Sequence, residues 1–225
     1  GINYDNNNSS KIYLQLNAPK KDFVYVLGNF NDYVKDNKSL MNINPSNNKF
    51  WFEISDLNEN ENYWYQYQVF SKSPVSGSPT VIKVADPFSN LIISSYDDNQ
   101  IPENSFPNLP KFPENQIGEF TFINKSEKYD WNITEFDKPK KEDLIIYEIL
   151  VRDFDKESSF QNLIDRIEYF KNLNINAIEL MPVMEFEGNE SWGYNSSYHL
   201  SLDKFYGTQN KLKEFIDLCH QNGIA

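Results

Sequence analysis

One cysteine, Cys219, in a chain of 225 residues excludes an internal disulfide. With only two histidines, His199 and His220, there is no Cys/His set for a structural zinc. Uninterrupted apolar runs are short. None approaches the roughly 18 residues that a membrane-crossing helix needs. Basic residues are also scarce, 21 against 33 acids, for a formal net charge of -12. The deficit is spread evenly, six net negative charges on each side of Glu135, so there is no basic stripe or tail to hold a nucleic acid. A solvated acidic surface is expected, and neither nucleic acid nor membrane is an expected partner. The chain starts at Gly1 without an initiator Met or a signal peptide, which reads as a processed or excerpted segment.

What is present is aromatic and apolar enough for packed cores: 39% hydrophobic and 16% aromatic. Thirty asparagines read as genome bias rather than function. From Lys11 to about Pro87 the grammar is that of short strands. Lys11–Leu16, Asp22–Leu27 and Lys49–Ile54 alternate at period two, with turn residues between them. In Tyr63–Phe70, Tyr63, Tyr65, Tyr67 and Val69 share one face, and Gln66 and Gln68 lie on the other. That predicts a β-sandwich over residues 1–90. Residues 91–141 carry Pro102, Pro107, Pro110, Pro113 and Pro139 and hold neither period, so they read as an extended, packed connector with a short strand near Glu119–Ile123.

From 142 to 225 the period changes. Leu144–Val151 and Asn176–Val183 are nearly continuous apolar runs, as in parallel strands buried on both faces. Ser158 and Gln161 form a capping-box pattern ahead of Phe160, Leu163, Ile164, Ile167 and Phe170. Thr208 precedes a second helix that Asn222-Gly223 closes, and Ile224-Ala225 opens a third strand. Two parallel strands cannot close their own edges, so this half is expected to be part of a larger α/β protein.

The loop after the second strand holds Trp192-Gly193-Tyr194-Asn195. Flat rings on a tight turn stack on the apolar face of a pyranose, and neighbouring amides bind its hydroxyls. Packing within the loop explains the rings equally well. Glu185, Glu187 and Glu190, with Asp153 and Asp155 past the first strand, read as solvated surface acids. His220 lies near a helix end, where a cation is favoured, and Cys219 sits at an apolar helix position.

Residues 144–225 resemble the opening of the catalytic (β/α)8 barrel of the α-amylase superfamily of glycoside hydrolases, family 13. The resemblance rests on Ile146–Phe154, Ala177–Pro182, Trp192-Gly193-Tyr194-Asn195, Asp203-Lys204-Phe205-Tyr206-Gly207-Thr208 and Cys219–Ile224, in the family's order. Val26–Tyr33 is similar to the signature of the immunoglobulin-like module that precedes many of these barrels, with Tyr33 where Trp is common. The resemblance implies an immunoglobulin-like sandwich followed by the first β-α-β-α of a TIM barrel. It implies an enzyme that hydrolyses α-1,4-glucosidic bonds of starch, glycogen or maltodextrin with retention, or a debranching or branching enzyme. Its partner would be an α-glucan polysaccharide or oligosaccharide. Tyr194, with Trp192 and Asn195 beside it, would bind substrate. The catalytic carboxylates would lie on later strands, so this segment is expected to carry no catalytic residue and to be inactive alone. The resemblance implies no cofactor or metal ligand in this segment, and allows calcium in a full-length enzyme. Secretion or the periplasm fits the acidic composition, and the cytoplasm nearly as well. From a different class, a non-catalytic carbohydrate-binding protein would use the same sandwich and loop.

Overall fold

The computed structural model describes residues 1–123 and 128–225. It forms two compact units, one of residues 1–96 with 110–125 and the other of residues 97–109 with 126–225.

The first unit is built of antiparallel strands. β1 (Ile2–Tyr4), β2 (Ile12–Leu16), β4 (Asn42–Ile43) and β5 (Phe50–Ile54) form one sheet in the order β1-β2-β5-β4. β3 (Phe23–Gly28), β6 (Tyr63–Phe70), β8 (Ile92–Ser94) and β9 (Glu119–Ile123) form the other, in the order β3-β6-β9-β8. β6 is long enough to pair its first residues with β9 and its last with β7 (Val81–Val84). The period-two pattern decides what is buried. Ile12, Leu14 and Leu16 from one sheet meet Val24, Val26, Tyr65, Tyr67 and Val69 from the other in one core. Each such side chain taken from water is worth about 1.5–3 kcal/mol before the entropy of ordering it. Asp86 is fully buried there and fully bonded. Its Oδ2 accepts from the Tyr65 hydroxyl at 2.7 Å and the Tyr67 hydroxyl at 2.8 Å, and its Oδ1 accepts from the Phe88 N–H at 2.9 Å.

The stretch 91–141, read above as a connector, contributes to both units. Its residues 124–127 lie outside the described part of the chain. The strand expected near Glu119–Ile123 is present as β9, inserted between β6 and β8 with Phe120, Thr121 and Phe122 buried. Further along, the backbone N–H groups of Asn132 and Ile133 donate to the buried carboxylate of Asp217, each at 2.9 Å.

In the second unit β10 (Ile146–Ile149) and β11 (Ala177–Leu180) pair in parallel, with Glu148 opposite Glu179. The crossover contains α1 (Val151–Phe154), α2 (Phe160–Asp165) and α3 (Ile167–Asn172). α2 starts at Ser159, whose side chain accepts from the Asn162 N–H. This corrects the expected cap by one residue: Ser158 instead stands at a positive φ of 50° and donates its hydroxyl to the Arg152 carbonyl. α4 (Gln209–Gln221) is capped by Thr208 as expected and ends where Ile224 N–H turns back to the Cys219 carbonyl. Ala225 then bonds through its backbone to Asn176 and Ile178, beside β11.

One face of the β10–β11 pair packs with Phe160, Leu163, Phe170, Phe215 and Cys219. The other face departs from the expectation of strands buried on both sides: Ile146 is 53% exposed, and Glu148 and Glu179 are also exposed. Beyond β11 the chain forms a hairpin, β12 (Met184–Phe186) and β13 (Ser196–Leu202), where a long loop was expected. Two register shifts interrupt this pairing.

Candidate functional site

The loop joining β12 to β13 carries the aromatic pair. Trp192 is 62% exposed and Tyr194 is 71% exposed, so neither ring packs the loop interior. Gly193 explains how they are held out. Its φ is +85°, and a Cβ there would lie 2.3 Å from the Pro182 carbonyl oxygen. Only glycine lets the backbone turn this closely against the end of β11. The turn is fastened from within. Gly193 N–H donates to Ser191 Oγ at 2.9 Å, and Ser196 Oγ donates to the Gly193 carbonyl at 3.0 Å. Ser191 Oγ in turn donates to Asn195 Oδ1. Asn195 is exposed, and its side-chain oxygen serves the turn.

Tyr194 lines a cleft of about 330 Å³ together with Glu148, Glu179, Leu180, Met181 and Pro182. The cleft therefore lies at the carboxyl end of β11, where parallel α/β sheets build their sites. The sequence reading passed over Glu148 and Glu179, because strand acids inside an apolar run look incidental. Parallel register is what sets them side by side on one face.

Glu187 and Glu190 are exposed, as expected of surface acids. Asp153 and Asp155 are tied to arginines, Asp153 to Arg152 at 2.7 Å and Asp155 to Arg166 at 2.7 Å. Each arginine holds its partner's pKa below the usual carboxylate range. His199 is exposed, and the His220 ring stacks on Phe136 at 4.2 Å. Cys219 is core, with burial pushing its thiol up to about 12.

Glu185 overturns its reading as a solvated acid. It is 4% exposed and ion-paired with Lys204, itself only 2% exposed. The Lys204 ammonium also meets Asp98 at 3.3 Å. Asp203 is buried beside them and accepts from the Phe205 N–H at 2.9 Å. Burial, against which Lys204 works, drives Glu185 up to about 8 and Asp203 up to about 6. Local pattern gave no signal for this, because a strand sends Glu185 to the side opposite its apolar neighbours Met184 and Phe186.

Among the described residues no group of three or more His, Cys, Asp or Glu side chains is arranged to hold a metal ion. The acids that come nearest already enclose the Lys204 ammonium, so a calcium ion, which needs six to eight oxygens around an open centre, does not fit there. No described helix is long and apolar enough to cross a membrane.

The family described as "Alpha amylase, catalytic domain" matches residues 125–225. The malto-oligosyltrehalose trehalohydrolase of Saccharolobus solfataricus is 30% identical over 145 residues, covering 64% of this chain and 24% of that protein. The 1,4-alpha-glucan branching enzyme GlgB of Clostridium perfringens is 27% identical over 214 residues, covering 92% of this chain and 29% of that protein. The chain thus spans about a quarter of the length of the curated relatives it matches. In fold, it superposes over its whole length on 36% of the apo pullulanase of Paenibacillus barengoltzii, with a TM-score of 0.72 at 15% identity. Residues 125–225, which carry β10, β11 and the aromatic loop, thus match the α-amylase catalytic-domain family.

Proposed function

We propose that the chain contributes to an enzyme acting on α-glucans, in which Trp192 and Tyr194 are the flat surfaces on which glucose rings stack. The observation that carries this is the exposure of both rings on a glycine turn beside a cleft at the end of a parallel strand. Sugar rings offer an apolar face to such surfaces, and stacking fixes their orientation without consuming the hydroxyls. Unit one is then the immunoglobulin-like module and unit two the first β-α-β-α of a (β/α)8 barrel.

Hydrolysis of α-1,4-glucosidic bonds with retention is the first reading. It requires two carboxyls about 5 Å apart on either side of the scissile bond. By the family resemblance these come from later strands, so the residues described here bind and orient the glucan. Transfer of a glucan segment, as in branching, is the second reading. It is favoured by the branching enzyme whose similarity runs through both units rather than the second alone.

A stacking ring that positions the sugar as charge develops at the anomeric carbon acts on the transition state as well as on binding. Tyr194→Ala in the complete enzyme should lower kcat/KM about 10-fold or more, roughly 1.4 kcal/mol, and Tyr194→Phe should lose much less. Unchanged kcat/KM with a lowered melting temperature would assign Tyr194 to loop packing instead. The 225-residue chain alone should release no reducing sugar from soluble starch.

A further inference from the structure

We propose that Lys204 is a positioning residue for the aromatic loop: its buried ammonium is the internal cation around which the root of the β12–β13 hairpin is assembled. This rests on the reading of Trp192 and Tyr194 as sugar platforms. Two chain segments pair with the ammonium, and a third buried acid lies beside it. Glu185 comes from β12, Asp98 from the turn at 98–100, and Asp203 from the exit of β13, next to Lys204 itself. Asp97 extends the cluster into the loop. Its Oδ2 accepts from the Gly188 N–H at 3.2 Å, and its backbone carbonyl accepts from Asn189 Nδ2 at 3.3 Å.

The cluster holds four acids and one base in a region largely shut off from water. Glu185 Oε2, Asp97 Oδ1 and the Tyr206 hydroxyl are buried without a hydrogen-bond partner. Charges in such a place are tolerated only when paired. Lys204 therefore cannot be exchanged for an apolar side chain of equal length without leaving the acids unopposed. Its neighbours across the cluster are Glu185, Asp98, Asp97, Asp203 and Tyr206, with Arg152 acting on Tyr206 from a distance. Protonation of these acids is the one other way to relieve them.

That alternative supplies the test. Lys204→Met and Lys204→Arg would be made in the 225-residue chain and compared with the parent chain at pH 5 and pH 8. The position of the loop would be read from Trp192 emission, isolated by subtracting a Trp192→Phe control, and its use from the affinity for maltoheptaose. At pH 8, Lys204→Met should shift Trp192 emission and weaken maltoheptaose about tenfold or more, the scale expected when a binding surface is misplaced. Acid should restore both, and Lys204→Arg should stay near the parent at both pH values. Failure of Lys204→Met at every pH, with Lys204→Arg intact, also supports the role of the charge. Parent-like emission and affinity of Lys204→Met at pH 8 would overturn the proposal, as would equal loss in both variants at both pH values. A parent chain that ignores maltoheptaose while its Trp192 emission still follows Lys204 would remove the glucan reading and leave the positioning role standing.

Discussion

Asp86 in the first unit and the Lys204 cluster in the second bury carboxylates in different ways. In the first unit Asp86 is met by two tyrosine hydroxyls at 2.7 and 2.8 Å, a backbone N–H at 2.9 Å and the Gly1 ammonium at 3.0 Å. Its own N–H donates to Thr121 Oγ1 at 2.7 Å, which ties it to β9. In the second unit Lys204 pairs with Glu185 and Asp98, Asp203 and Asp97 are buried nearby, and two carboxylate oxygens and a tyrosine hydroxyl remain without donors. The Asp86 network leaves neither carboxylate oxygen without a donor and ties its segment to β6 and β9 of one sheet. A network in which one lysine faces several buried acids is stable only within limits of pH, and it sits at the root of the loop that faces the cleft. The first arrangement is the kind a scaffold needs, and the second is the kind found near sites.

The sharpest way to break that contrast is at Asp86. Replacement by Ala strands two buried hydroxyls, each at about 1–3 kcal/mol, so the first unit should lose about 2–6 kcal/mol. Its unfolding in urea, followed by a probe in that unit, would measure the loss. A change below ~1 kcal/mol would mean that the tyrosines find other acceptors and that the network does not stabilise the first unit.

Acidity should separate the units next. Glu185 titrates near 4.5 when unfolded and near 8 when folded, and Asp203 is raised in the same sense, to about 6. The folded second unit therefore holds protons that the unfolded chain has released. Stability is fully present below the unfolded pKa and declines as pH rises from about 4.5 through about 8. The decline should amount to a few kcal/mol, and thermal midpoints of the second unit between pH 5 and pH 9 would show it. Stability that rises over this interval would contradict the burial of an acid-rich cluster.

The smallest effect sharpens the same point. Glu185→Gln imitates the protonated acid, so at pH 5 it should stay within ~1 kcal/mol of the parent. Across the pH series it should flatten the decline. A slope as steep as the parent's would move the responsible proton to Asp203.

Much of this was legible in the sequence, for a physical reason. β2, β3, β5 and β6 alternate at period two because each has one face in a core, and such a pattern shows itself within six residues. α4 announced both its ends through Thr208 and Asn222-Gly223. The turn at Gly193 was legible too, but the sequence left open whether its rings pack the loop or face solvent. The β12–β13 hairpin was not. β12 has three residues, β13 reads Ser-Ser-Tyr-His-Leu-Ser-Leu, and two register shifts erase any regular alternation. The misreading of Glu185 followed from this. Its partner Lys204 is 19 residues on and Asp98 is farther still, in the opposite direction, so only folding brings the charges together. Local pattern reports burial of apolar groups, and it is silent on long-range pairing of charges.

The central claim is that the aromatic turn binds α-glucan, and calorimetric titration of the 225-residue chain with maltoheptaose tests it most directly. The parent should bind saturably, and Trp192→Ala/Tyr194→Ala should abolish binding while its melting temperature stays the same, because both rings are largely in solvent. No binding by the parent, or equal binding by the double variant, would contradict the account.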